Sequence, residues 1–200
     1  QRKQIPFAAA LGLTNTAKKV MQVEKRMMVK QLDRPTPFTV RGIRYQGARK
    51  ADYKLGRLHA RVFIADLQAE YLHYRILGGT RTPRGRAIPV PTTNAKLNKY
   101  GNLPGGQGRI KNLLKQKGVF QGTINGVQGI YRRPKRGKRS RGGYGSSGKS
   151  GLTLLVAYEP KTSYQPRYDF YGIGQRSVTS HITGEMDKAI TKALAHTKRD

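Results

Sequence analysis

Apolar residues recur at three- and four-residue steps over two long stretches, one at each end of the chain. From Pro6 to about Leu32 they fall at Leu13, Ala17, Val20, Met21, Met27 and Met28. This predicts one amphipathic helix, opened by a proline whose missing N–H costs nothing in a first turn and ended by Pro35 and Pro37. Val178, Ile182, Met186, Ala189, Ile190, Ala193 and Leu194 predict a second such helix, ending near His196. Between them, Phe38–Tyr45 and Arg57–Ala65 mix β-branched, aromatic and basic residues with partial alternation, as two strands of a half-exposed antiparallel sheet do. Asp66 is placed to cap a helix reaching about Leu77, where Gly78 and Gly79 offer a positive-φ stop.

Beyond that the period weakens. Residues 80–108 carry four prolines and no sustained alternation, which predicts an irregular extension. A short helix is expected at Leu113 and Leu114, then strands at Val119–Thr123, Val127–Arg132 and Leu152–Tyr158. The last two flank a basic, Gly-rich loop, 132–151. Helices at both ends with strands between them imply an α+β fold: one domain, 1–200, with an antiparallel sheet packed by the terminal helices and long basic, Gly- and Pro-rich loops.

Charge changes this picture more than composition does. Lys and Arg number 40 against 10 Asp and Glu, a net +30, which calls for a polyanion or an assembled neighbour. No acid occurs between Tyr71 and Tyr158, an interval that holds 18 Lys and Arg. Within it Arg132, Arg133, Lys135, Arg136, Lys138, Arg139 and Arg141 crowd into ten residues. Such density needs counterions, supplied either by nucleic-acid phosphates or by an acidic neighbouring subunit. Tyr71, Tyr74, Tyr158, Tyr168 and Tyr171 fall in predicted helices or strands and read as core or interface residues rather than stacking platforms for bases. The absence of Cys removes disulfides, thiolate metal sites and a Cys nucleophile. No apolar run approaches the roughly 18 residues of a membrane span. Arg2 and Lys3 before Ile5–Leu13 have the order of a secretory signal, but no small-x-small cleavage site comes after them and the helical spacing continues.

Gly143–Ser150, GYGSSGKS, matches the phosphate-binding loop string in full. Its chemistry needs a buried strand before it and a helix N-terminus after it. RRPKRGKRSRG precedes it and strand-like LTLLVAYEP succeeds it, so nucleotide hydrolysis is not expected. His59, His73, His181 and His196 show no metal-ligand spacing, and Glu185 and Asp187, two apart on a helix, diverge. No enzyme, cofactor or metal is expected.

The segment PFAAALGLTNTA, with Pro6, Phe7, Ala8, Ala10, Leu11, Asn15, Thr16 and Ala17, resembles the opening helix of the minor tail protein Z family of tailed bacteriophages. RPTPFT at Arg34–Thr39 and YLHYRILGG at Tyr71–Gly79 also look like phage virion proteins of this kind. The resemblance implies a non-enzymatic virion component of the head–tail region, present in the host cytoplasm during assembly. It would form a ring around the DNA channel, contact other neck and tail proteins and complete the tail. A ribosomal or ribosome-associated RNA-binding protein is the rival expectation, since a charge of +30 and a basic Gly-rich extension are ordinary there.

Overall fold

The structure, a computed structural model, describes residues 4–83, 85, 87–104, 109–134, 136–138, 144–146 and 151–197. In chain order the elements are α1 (Ile5–Gln31), α2 (Pro37–Arg41), β1 (Ile43–Gln46), a 3-10 turn (Lys50–Tyr53), β2 (Arg61–Ile64), α3 (Asp66–Ile76), β3 (Gly79–Arg81) and β4 (Ile88–Pro91). They continue with α4 (Arg109–Leu114), β5 (Val119–Ile124), β6 (Val127–Arg132), β7 (Arg136–Lys138), β8 (Tyr144–Ser146), β9 (Thr153–Glu159), β10 (Thr162–Tyr164) and α5 (Phe170–Thr197). Helices and antiparallel sheets make this an α+β protein. The chain divides into two compact units, Gln1–Gly78 with Gln165–Asp200, and Gly79–Tyr164.

In the first unit α1 packs along α5 and against the β1–β2 hairpin. The α1 seam is a row at four-residue steps, Ala8, Gly12, Thr16, Val20, Glu24 and Met28, all buried. On α5 the buried positions are Ile173, Ser177, Glu185, Ala189 and Ala193. This corrects the face read from the sequence: Val178, Ile190 and Leu194 are 39%, 49% and 50% exposed. The reason is close helix approach. A Cβ at Gly12 would collide with Met186 Sδ, and one at Gly174 would lie 3.3 Å from Glu24 Oε1. Ala8, Gly12, Ala189 and Ala193 keep the side chains small at one end of this seam, Val20, Glu24 and Met28 occupy the rest of the row, and Val178, Ile190 and Leu194 fall on its flank.

Around Met28, Ile43, Leu72, Tyr168 and Ile173 the ends of α1 and α5 meet β1 and α3 in the unit's core. Here two further expectations are corrected. Phe38–Arg41 is a helical turn, because Pro37 pre-sets its first residue and Thr36 Oγ1 accepts the Thr39 N–H at 3.2 Å. Only Ile43–Gln46 is left as strand, and its partner is shortened to Arg61–Ile64. Ala65, rather than Asp66, is the cap residue of α3, which does stop at Gly78 (φ 78) and Gly79 (φ 116). Tyr168 lies in the connection before α5, not in an element. α5 begins at Phe170, eight residues ahead of the expected apolar stripe, with Asp169 Oδ1 just before it accepting the Gly172 N–H at 2.9 Å.

The second unit is built on a four-stranded antiparallel sheet of order β4-β9-β6-β5. Ile130, Leu155 and Val156 are fully buried and pack with Leu113, Leu103 and Ala95. The β5–β6 hairpin turns on Asn125 (φ 50) and Gly126 (φ 78), two left-handed residues in succession as a type I′ turn requires. Gly129 lets β9 pass close, since a Cβ there would strike the Val156 carbonyl. Within the stretch expected to be irregular, β3 pairs with β10 and β4 with β9. β4 carries Pro89 and Pro91 and is tolerated because it is an edge strand, where a missing N–H faces away from the ladder.

Candidate nucleic-acid interface

The unit Gly79–Tyr164 contains 18 Lys and Arg and one acid, Glu159. Three of these cations line one cavity of about 400 Å³. Lys96, Arg109 and Arg132 border it together with Asn112, Gln116, Leu103 and Pro104. Each arrives by a different route. Arg132 ends β6, opposite Val119 on one side and Thr153 on the other, so the ladder fixes its backbone. Its Nη2 donates to Gln116 Oε1 at 3.1 Å, which orients the guanidinium. α4 buries Leu113 in the core and thereby turns Arg109 and Asn112 toward the cavity. Lys96 comes directly after buried Ala95, and the next loop is tightened by Asn98 Oδ1, which accepts the N–H groups of Tyr100 at 2.9 Å and Asn102 at 3.0 Å.

Arg133, next in the chain, is not among the residues lining this cavity. Its N–H donates to the Gly118 carbonyl at 2.8 Å, and its guanidinium carbon lies 5.1 Å from the Phe120 ring centre. That stacking holds the side chain while leaving its donors available. Among the residues singled out from the sequence, Arg132 lines the cavity, while Arg133 is held against Phe120 beside it in the chain. Arg136 and Lys138 lie on β7, opposite Ser146 and Tyr144 of β8. Lys135, Arg139 and Arg141 lie outside the described residues. Lys96 and Arg109 were missed as site residues. Their only signal was membership of the acid-free interval.

The chemistry of this arrangement is that of oxyanion recognition. Arg presents a planar fork of donors suited to phosphate oxygens, and Lys adds a mobile point charge. Among the described residues lining the cavity, no carboxylate, His or hydroxyl nucleophile accompanies them. The phosphate-loop string is placed differently from its chemistry: Tyr144–Ser146 form β8, Gly143 and Ser147–Ser150 lie outside the described residues, and the next element is the strand β9 rather than a helix. Among the described residues no three His, Asp or Glu side chains converge as a metal site would need, and no helix is long and apolar enough to cross a membrane.

The strongly perturbed carboxyl belongs to the helical unit. Glu24 is fully buried, and burial pushes its carboxyl up from 4.5 to about 7. The Tyr168 hydroxyl opposes this by donating to Glu24 Oε2 at 2.5 Å, while the charge of Asp169 adds to it and that of Arg176 opposes it. Burial and the same bond raise the Tyr168 hydroxyl in turn. Glu24 Oε1 has no hydrogen-bond partner among the described residues. Its surroundings are Thr16, Val20, Gly174 and Val178 beside a cavity of about 260 Å³, with no second carboxylate and no His among the described lining residues. The pair ties α1 to the segment before α5.

No family model matches the chain, and no curated protein or solved structure matches it either.

Proposed function

We propose that this protein is a non-enzymatic structural subunit of a tailed-phage virion, acting at the head–tail interface as an oligomer that surrounds DNA. The observation that carries the assembling part of this reading is the uncovered apolar end of the α1–α5 pair. There Ile5, Ala8, Ala9, Met186, Ile190 and Leu194 border a cavity of about 400 Å³, with Ile5 54% exposed and Ile190 and Leu194 about half exposed. Grouped exposed aliphatics of this kind mark surfaces that bury on assembly. The head–tail placement rests on the Pro6–Ala17 motif, which lies on this same helix, and the DNA contact rests on the Lys96, Arg109 and Arg132 cluster.

The test is the state of the purified protein. Sedimentation and negative-stain imaging should give rings free of RNA, which bind duplex DNA with a salt slope that falls by about 0.9 for each of Lys96, Arg109 and Arg132 neutralised. A monomer at micromolar concentration refutes the ring. Co-purified ribosomal RNA, bound in preference to duplex DNA, replaces the reading with the ribosome-associated one, which the charge of +30 also favours.

A further inference from the structure

On the opposite flank of the α1–α5 seam from the exposed aliphatics, Lys19, Gln22, Val23, Lys25 and Arg26 of α1 and His181 of α5 line an open groove of about 540 Å³. We infer that this groove is a second binding site, for the phosphodiester backbone of a nucleic acid, separate from the cluster around Arg132 and independent of the head–tail reading.

Charge balance points to it first. The one acid on α1 is Glu24, which is buried, turned to Tyr168 and held near neutrality. Nearby cations on α5 are already matched: Arg176 pairs with Asp169 and Lys188 with the buried Glu185, both at 3.0 Å. Lys19, Lys25 and Arg26 have no ion pair among the described residues. Lys19 and Arg26 are exposed and Lys25 half-buried, so these unmatched cations, beside matched ones, leave a charge surplus at this groove.

Spacing points the same way. Of the groove's cations, Lys19 is followed seven residues later by Arg26. Seven residues of α-helix advance about 10 Å, so these two sit on one side, two turns apart. A lone phosphate cannot bridge that distance. A nucleic-acid strand, with one charge for about every 3.4 Å of axis, presents several phosphates across it.

The lining decides the class of polyanion. Val23 is the one apolar residue among the six, and no aromatic joins it. A protein partner would need apolar or aromatic anchors at the centre of the contact. Base stacking would need rings. What remains is backbone contact without sequence preference: ammonium and guanidinium groups to phosphate, Gln22 as a neutral donor. His181 borders the groove from α5, its ring fixed by the Nδ1–H donated to the Ser177 carbonyl at 2.8 Å.

Titrating a fluorescein-labelled 20-base-pair duplex with the full chain over a range of salt tests the site. The variant K19Q/K25Q/R26Q should lower the slope of log K against log salt by up to about 2.7, and K19Q or R26Q alone by about 0.9. The control K50Q/K54Q/R57Q removes the same charge from exposed positions elsewhere in the helical unit and should leave the slope within about 0.5. Equal losses in both triples, or none in the first, overturn the site in favour of diffuse charge. Loss of poly-glutamate binding with duplex binding intact overturns it in favour of an acidic protein. Should the triple lose its helical signal, the slopes of K19Q and R26Q alone decide the same question. Lys96, Arg109 and Arg132 stay intact throughout, so failure here leaves the proposed DNA contact of the other unit standing, and the converse holds.

Discussion

Replacing Glu24 by Gln should stabilise the helical unit at alkaline pH and leave it unchanged in acid. In the folded chain the Glu24 carboxyl is held at about 7, against 4.5 when solvated. Between those values the folded state keeps a proton that the unfolded state has released. Stability therefore falls as pH rises through that window, by about 1.4 kcal/mol per unit, and is flat on either side of it. The whole window amounts to about 3 kcal/mol, an order-of-magnitude figure. Gln cannot ionise, and its carbonyl can accept the Tyr168 hydroxyl as Oε2 does now. Its amide would occupy the position of Oε1, which already lacks a partner among the described residues, so little is lost there. Urea unfolding followed at 222 nm reports chiefly on α1 and α5, the two long helices of this unit. At pH 8 the midpoint of E24Q should exceed that of the wild-type chain by about 1–2 M, and at pH 4.5 the two should coincide. Taking the difference between the two proteins cancels Asp33 and Asp169, whose carboxyls are lowered by hydrogen bonds from Arg34 and Arg176 and which stabilise in the opposite sense at lower pH. A midpoint difference independent of pH, or an E24Q chain weaker than wild type at pH 8, would refute the account.

The seam and the sheet give further expected outcomes. Gly12→Leu forces α1 off α5 at Met186 and should cost at least about 1–3 kcal/mol in the same unfolding assay. Ile190→Asp should leave helical content within about 0.5 kcal/mol of wild-type stability, because the side chain is half exposed, yet abolish oligomers in sedimentation. In the other unit Gly126→Val places a β-branched residue at φ 78; the tyrosine and amide signals of the β5–β6 hairpin should broaden or shift in NMR spectra, with a loss of about 1–2 kcal/mol. Unshifted spectra would mean that the turn is not held in that conformation.

The long helices were legible because their apolar spacing persists over many turns, and α1 begins within a residue of its expected start. What the spacing did not contain was the choice of face. A seam close enough to require Gly12, Ala189 and Ala193 has a weaker hydrophobic signature than its own flank, so the conspicuous stripe at Val178, Ile190 and Leu194 drew the assignment. Strands β5, β6 and β9 were visible from β-branched and aromatic content. β3 and β4 were not, because three residues and a Pro-Val-Pro edge are strands only through partners some seventy to eighty positions away. The same distance hid most of the site. Arg132 was conspicuous as part of a basic run, whereas Lys96 and Arg109 gain their meaning by reaching the same cavity from separate segments, and Glu24 by meeting Tyr168.

Arg132 and Thr153 face each other across the β6–β9 ladder, so the chain leaves the sheet and re-enters it at adjacent rungs. The twenty intervening residues close on a gate that the strands themselves already hold shut. Lengthening such an excursion is thermodynamically inexpensive, since a doubled loop costs only about 0.6 kcal/mol in closure entropy. The segment is thus an editable port: an epitope, an affinity tag or a different dose of arginine can be spliced between the two rungs while the sheet beneath keeps its register. Charge added or removed between the two rungs at the bench leaves the Arg132–Thr153 pairing to the strands on either side.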